Sequence, residues 1–197
     1  MVLVLASGSE TRRSLLAAAG LRFEVELPRV DEDAIRRALS DEGVKPRDVA
    51  DALAEAKARK VGAKRPGDLV LGSDQVLDLG GRTLAKPETP DEARAQLRAL
   101  SGQRHLLHAA IVAYDGAEPV WRFTGTVPLT MRELSPGYID DYVTRNWDSV
   151  RQSVGAYKLE EEGMRLFRAV EGDYFTVLGM PMIPLLSWLT DRGYLAI

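Results

Sequence analysis

Residues 69–87 read LVLGSDQVLDLGGRTLAKP, which predicts a buried strand, a tight turn and a short return strand. The first three residues are apolar, Gly72-Ser73 interrupts the strand, and Asp74 follows. Gly80-Gly81 is typical of a two-residue hairpin, because glycine takes positive φ without a Cβ clash. A carboxylate at the end of a buried strand needs a hydrogen bond, a counter-charge or a metal. Two interpretations are therefore open: a structural ion pair of Asp74 with Lys86, or a functional site.

The composition is that of an ordinary globular protein: 197 residues, 45% hydrophobic, 28% charged, with a net charge of −3. This predicts one domain, residues 1–197, with a real core and no direct nucleic-acid binding. The chain has no cysteine, which excludes disulfides and cysteine-based zinc sites and leads us to expect a cytoplasmic protein. No apolar run approaches the roughly 18 residues of a membrane span, and the opening run predicts a first strand rather than a signal peptide.

Residues 2–19 predict a strand, a Gly/Ser turn and a helix. Ser7 and Glu10 have the spacing of a capping box, which would explain the turn by helix stability alone. The alternative is that the helix N-terminus binds an anion. Arg12 and Arg13 lie in the first turns, where positive charge opposes the helix dipole, and this favours a bound phosphate.

Periodicity predicts the remaining elements: strands at 23–27, 105–114 and 120–131, and helices at 34–39, 46–61, 90–100, 138–146 and after 181. A second hairpin is predicted from strands at 166–170 and 174–178. We expect the last helix to bury Ile183, Leu186 and Leu189. The mixture of hairpins and crossovers predicts an α/β fold, with an elongated mixed β-sheet flanked by helices.

Isolated charges follow several of these elements. Cations with two carboxylates suit a polyphosphate and a divalent ion, since carboxylates hold Mg²⁺ or Mn²⁺ while arginine and lysine bind phosphate oxygens. Periodicity alone does not separate Lys57 from an ordinary surface lysine. The cations are Arg12, Arg13, Lys57 and Lys86, and the acids are Glu32 and Asp74.

Seven segments resemble, in order and over nearly the whole chain, the Maf family of nucleoside triphosphate pyrophosphatases, also known as septum formation inhibitor Maf-like proteins. The resemblance implies hydrolysis of a nucleoside triphosphate to the monophosphate and pyrophosphate with a divalent metal. It also implies the elongated α/β fold of the house-cleaning inosine triphosphatases. The segments are LASGSETRRSLL (5–16), GSDQV (72–76), KP (86–87), LSG (100–102), VGAY (154–157), EGDY (171–174) and VLGMP (177–181).

The resemblance also implies roles for individual residues. GSDQV, in place of the commoner GADT, is similar to the branch that acts on 7-methyl-GTP. Glu10 stands where the family usually has proline, and Ser153 where lysine often stands. The implied roles are substrate binding by Ser9, Arg12, Arg13, Lys57 and Lys86, metal binding by Glu32 and Asp74, catalysis by Asp74, and base recognition by Thr11, Gln75 and Glu160.

Other interpretations stay open at this stage. Glu160 is one of three adjacent acids that a solvated turn would equally explain. The association of Maf proteins with arrest of septum formation allows a regulator that binds a partner, or a nucleotide, without turnover. The expected partner is a nucleoside triphosphate substrate, and a homodimer is a further open alternative.

Overall fold

The computed structural model describes residues 1–196 and has a mixed β-sheet flanked by helices, as the sequence predicts. The strands are β1 (Leu3–Ala6), β2 (Glu24–Val25), β3 (Leu69–Leu79), β4 (Arg82–Leu84), β5 (Arg104–Asp115), β6 (Glu118–Met131) and β7 (Phe167–Val170). The helices are α1 (Glu10–Ala18), α2 (Glu32–Asp41), α3 (Pro46–Gly62), α4 (Pro90–Leu100), α5 (Pro136–Val150), α6 (Tyr174–Val177) and α7 (Met182–Asp191), with 3₁₀ turns at Val154–Ala156 and Glu162–Leu166. None of the helices in residues 1–196 has the length and apolar composition needed to cross a bilayer.

The sheet has the strand order β2-β1-β3-β5-β6-β7, with β4 paired to β3. Strand β1 runs parallel to β2 and β3, whereas the β3–β4 and β6–β7 pairs are antiparallel. The pairing of β1 with β3 ends where Ala6 lies opposite Gly72. Residues 73–76 of β3 therefore have no partner in β1, and Asp74 lies just beyond the end of the parallel pairing.

The chain divides into two compact units, and the prediction of a single domain stays a prediction. The first unit comprises residues 1–75, 108–125 and 173–197, of which the structure describes all but residue 197. The second comprises residues 76–107 and 126–172. The boundaries fall inside strands β3, β5 and β6, so these strands contribute residues to both units.

The core of the first unit is built from the apolar runs of β1 and β3. Both strands are buried almost throughout, as expected for parallel strands. Helices α1 and α7 pack on them with leucine side chains. The buried members of this cluster are Leu5, Leu16, Leu69, Leu71, Ile111, Ala113, Met180, Met182, Leu185 and Leu189.

Helix α3 approaches β3 closely at Gly72. A Cβ atom on Gly72 would lie 2.1 Å from the carbonyl oxygen of Ala54 and 2.5 Å from the amide nitrogen of Ala58. Only glycine permits this approach. Lys57 lies between these two alanines on α3, and it is buried rather than a surface lysine. The close contact of helix and strand therefore carries a lysine into the interior of the first unit.

Three local predictions are wrong. Strand β3 continues through Gly72 and Ser73 without the expected interruption. Residues 174–177 form helix α6 rather than a strand, because the Asp173 carboxylate accepts hydrogen bonds from the Thr176 amide and hydroxyl at 2.7 and 2.6 Å. In α7, Ile183 is 56% exposed, since the buried face is set by residues 182, 185 and 189.

Candidate active site

The N-terminus of α1 is capped by Ser9 rather than by Ser7. The Ser9 hydroxyl accepts from the Arg12 amide, and the Ser7 hydroxyl accepts from the Ser9 amide at 3.2 Å. The capping box expected of Ser7 and Glu10 is therefore wrong in its cap residue. Glu10 instead forms an exposed ion pair with Arg13.

Arg12 is buried, and its guanidinium binds backbone oxygens. Nε donates to the Gly179 carbonyl at 2.9 Å, and Nη1 donates to the Ser73 carbonyl at 2.8 Å. Burial lowers the pKa of Arg12, whereas the Asp74 and Glu32 carboxylates oppose this shift. Gly179 has a φ of +92°, and a Cβ there would lie 3.3 Å from Nη2 of Arg12. Arg12 thus places a fixed positive charge beside the acids of the site.

Lys57 lies between two carboxylates. Its Nζ is 2.6 Å from Oδ1 of Asp74 and 2.9 Å from Oε1 of Glu32. The Asp74 side chain is 6% exposed and that of Glu32 is 38% exposed. The structure therefore brings together three of the residues predicted for the site. Lys57 on α3 and Asp74 on β3 are buried, and Glu32 lies at the start of α2.

The second carboxylate oxygen of Asp74 has no such partner. Oδ2 of Asp74 is buried and makes no hydrogen bond among the described residues. Nη2 of Arg36 on α2 lies 4.0 Å from this oxygen, which is too long for a hydrogen bond. Sequence reasoning missed Arg36. Its position four residues after Glu32, hence on the same helix face, is the signal that would have found it.

Glu32 and Asp74 fit a divalent cation that binds together with a substrate. Residues 1–196 contain no group of three or more His, Cys, Asp or Glu side chains arranged around a metal. Mg²⁺, however, is usually bound through one or two carboxylates, with waters and substrate phosphates completing its shell. The buried Asp74 Oδ2, without a hydrogen-bond partner, is an oxygen of the kind that such an ion requires.

Gln75 is held by the backbone of α6. Its side-chain amide nitrogen donates to the carbonyl oxygens of Thr176 and Val177, at 3.2 and 2.8 Å. These bonds leave Oε1 as the end of the side chain that can accept from a ligand. Thr11 on α1, for which base recognition is also predicted, is half-buried.

The remaining predicted residues belong to the second unit. Lys86 is exposed and follows β4, after the predicted Gly80-Gly81 turn, whose two φ angles of +63° and +91° are both positive. Glu160 is exposed in the loop before the second 3₁₀ turn, next to two acids with partners of their own. The roles assigned to all of these residues stay predictions.

Comparison with known proteins gives consistent matches along the chain. The family model described as "Maf-like protein" matches residues 2–192. "Nucleoside triphosphate pyrophosphatase" of Ruegeria pomeroyi is 56% identical over 191 residues, 97% of this chain and 96% of that protein. "7-methyl-GTP pyrophosphatase" of Rhizobium meliloti is 48% identical over 98% of this chain and 96% of its own length. A HAM1 protein from Coxiella burnetii is 18% identical, with a TM-score of 0.39, over 66% of this chain and 73% of that one. The order of segments noted in the sequence is therefore confirmed as a family relationship, and this chain belongs to the family of Maf-like proteins.

Proposed function

We propose that this chain hydrolyses a nucleoside triphosphate to the monophosphate and pyrophosphate. The observation that carries the proposal is the cluster of buried Asp74 and Lys57 with partly exposed Glu32, in which one carboxylate oxygen of Asp74 makes no hydrogen bond among the described residues. The relatives of similar length that are named nucleoside triphosphate pyrophosphatases support it. A regulator that only bound a partner would have no use for this arrangement, so catalysis is the function we favour.

Asp74 is the general base in this proposal. Lys57 holds Oδ1, so Oδ2 is the atom available to accept a proton from the attacking water. The water oxygen forms a bond to the α-phosphorus, and the bond from that phosphorus to the bridging oxygen breaks. Pyrophosphate leaves with the electron pair, while the proton of the water passes to Asp74.

Positive charge at the site stabilises the phosphates. The proposed phosphate contacts are Ser9 and the first amides of α1, together with Arg12, Arg13, Lys57 and Lys86. A magnesium or manganese ion held by Glu32, and by Asp74 through a water so that Oδ2 can still accept a proton, would supply further positive charge to the phosphate oxygens and to the leaving pyrophosphate. The chemistry required of the protein is mainly positioning and charge neutralisation.

We propose 7-methyl-GTP as the first substrate to examine. Two relatives at 48% and 46% identity carry the name 7-methyl-GTP pyrophosphatase. The Gln75 amide nitrogen is engaged by two carbonyls, so Oε1 is the atom left to accept from a ligand. The guanine edge offers N–H donors to such an acceptor, and Thr11 and Glu160 are the proposed additional contacts.

The absence of cysteine supports a cytoplasmic location for the reaction.

The decisive experiment follows oxygen from labelled water. The protein is incubated with 7-methyl-GTP, GTP, dTTP and UTP and Mg²⁺ or Mn²⁺ in ¹⁸O-water, and the products are separated and weighed by mass spectrometry. We expect monophosphate and pyrophosphate, with the label in the monophosphate, because water attacks the α-phosphorus. A diphosphate and inorganic phosphate would contradict the proposed bond cleavage.

Asp74→Asn is the matched variant for this experiment. It keeps the size of the side chain but removes the base and one metal-binding charge, so we expect turnover to fall by roughly two or more orders of magnitude. The control is Asp41→Asn, at the exposed end of α2, which should retain full activity. Tight nucleotide binding by the unmodified protein without any product would instead identify a nucleotide sensor.

A further inference from the structure

Arg36 is a largely buried cation, and two of its three guanidinium nitrogens have no hydrogen-bond partner among the described residues. Its side chain is 14% exposed, and Nε and Nη1 are buried without a hydrogen bond among the described residues. Its closest acid is Asp74, with 4.0 Å between Nη2 and Oδ2. A guanidinium that is shielded from water and has two donors without a hydrogen bond destabilises the folded state, since each donor has lost its bonds to water.

The charges around Arg36 are already balanced without it. Glu32 and Asp74 supply two negative charges, both of which contact Lys57. Arg12 adds a second positive charge that interacts electrostatically with the same two acids. Arg36 is then a surplus cation, and a surplus cation with unmet donors is suited to an anion that is not part of the chain.

The position of Arg36 does not depend on a buried apolar face of helix α2. The helix has no fully buried residue, and the Asp31 carboxylate caps it by accepting from the Ala34 amide. The side chain is therefore not required to fill a core. Its position one turn after Glu32 puts it on the helix face that meets Lys57 and Asp74.

We infer that Arg36 is a phosphate-binding residue of this site, and that it binds the triphosphate of the substrate when a divalent cation lies beside Asp74. The inference rests on the proposed function. Like charges repel, so a divalent cation held by Asp74 would disfavour the Arg36 guanidinium at Oδ2 and leave its donors for phosphate oxygens. Arg36 thus weakens the binding of a divalent cation at Asp74 and strengthens the binding of the triphosphate.

This predicts changes of opposite sign when Arg36 is removed. Arg36→Ala should bind Mn²⁺ at least about threefold more tightly, because one positive charge next to Asp74 has gone. The same variant should bind inorganic triphosphate about tenfold more weakly, because charge-assisted hydrogen bonds are lost. A residue that only held Asp74 in place would weaken both ligands, or neither.

The experiment measures both affinities in the full chain. Free Mn²⁺ is followed by electron paramagnetic resonance, and inorganic triphosphate is titrated by calorimetry in the presence of saturating Mn²⁺. Arg36→Lys keeps the charge and should restore most of the triphosphate affinity. Arg37→Ala removes the adjacent, exposed arginine of the same helix and is the matched control, which should change neither value.

Several outcomes would overturn the inference. They are weaker Mn²⁺ binding in Arg36→Ala, unchanged triphosphate affinity, or equal effects in Arg37→Ala. If alanine prevents folding, Arg36→Gln keeps the methylene groups nearest the backbone and a polar end without the charge, and must give the same pattern. Nucleotide turnover by the unmodified protein is a separate readout. Its absence counts against the proposed function, whereas turnover with an unaltered Arg36→Ala variant counts against the inference alone.

Discussion

Two buried polar clusters, one in each unit, accommodate burial in different ways. Around Asp74, charge is retained: an ammonium lies between two carboxylates, and one carboxylate oxygen has no hydrogen-bond partner. Around His105 the groups are neutral. Burial lowers the pKa of His105 to about 4 and raises the pKa of Tyr157, and the two side chains share a hydrogen bond of 2.8 Å.

The surroundings of the two clusters differ in the same sense. His105 packs against the rings of Tyr157 and Phe167, and the last two rings meet edge to face with centroids 4.8 Å apart. Both clusters contain a polar atom without a hydrogen bond, Nδ1 of His105 and Oδ2 of Asp74. The cost is smaller for a neutral ring nitrogen than for a charged oxygen. Retained charge, rather than burial or an unmet atom alone, therefore distinguishes a candidate site from a core.

The largest expected effect is on the charged cluster. Lys57→Met removes the only ammonium that contacts both carboxylates among the described residues, and leaves Asp74 buried beside an apolar chain. We expect the free energy of unfolding to fall by about 3 kcal/mol, as in other buried pairs that lose one partner. Chemical denaturation followed by fluorescence measures this change.

A double variant tests the cause of that loss. Asp74→Asn added to Lys57→Met removes the uncompensated charge and should recover most of the stability. Lys60→Met, on the exposed face of the same helix, is the control and should have little effect. If Lys57→Met were no more destabilising than Lys60→Met, the contrast between a charged and a neutral cluster would fail.

The elements that the sequence predicted well are those with local causes. The Gly80-Gly81 turn follows from backbone freedom at two adjacent residues, and both φ angles are positive. Helix α4 begins where Thr89, Pro90 and Glu92 predict, with the Thr89 hydroxyl accepting from the Glu92 amide. Such signals need no knowledge of the tertiary structure.

Two of the features that the sequence did not predict depend on distant contacts, whereas helix α6 has a local cause. Tyr174–Val177 is rich in strand-forming residues, yet the Asp173 cap makes it helical. Periodicity does not decide whether Lys57 is a surface residue, and only the missing side chain of Gly72 lets α3 come close enough to bury it. The spacing of Glu32 and Arg36 places both on one face of α2, but the position of Arg36 beside Asp74 follows only from how α2 packs.

The second prediction tests whether the charged cluster depends on that close packing. In Gly72→Ala the new Cβ would lie 2.1 Å from the Ala54 carbonyl oxygen, so α3 must move away from β3. We expect a loss of about 2 kcal/mol in the free energy of unfolding and a lower kcat, because Lys57 moves with the helix. Thermal unfolding and steady-state kinetics measure the two effects.

A matched glycine provides the control for this substitution. Gly137 lies in α5, and a Cβ added there would have no atom within 4 Å, so Gly137→Ala should preserve or raise stability. If Gly72→Ala retained full stability and turnover, the position of Lys57 would not depend on this contact. The charged cluster would then tolerate a displacement of helix α3.

The smallest effect concerns the neutral cluster and its dependence on pH. In the folded chain His105 stays neutral down to about pH 4, whereas in the unfolded chain it takes up a proton near pH 6.5. The unfolded state therefore binds more protons between these values, and stability falls as the pH falls through this window. We expect about 1–2 kcal/mol to be lost from pH 7 to pH 5 on account of this residue.

His105→Gln keeps a partner for the Tyr157 hydroxyl but does not titrate, so its unfolding free energy should decline less steeply over the same range. Denaturation curves of both proteins at pH 7, 6 and 5 measure the two slopes. Equal slopes would mean that His105 takes up a proton in the folded state at the same pH as in the unfolded state, and the second cluster would then accommodate charge in the interior below that pH as the first one does.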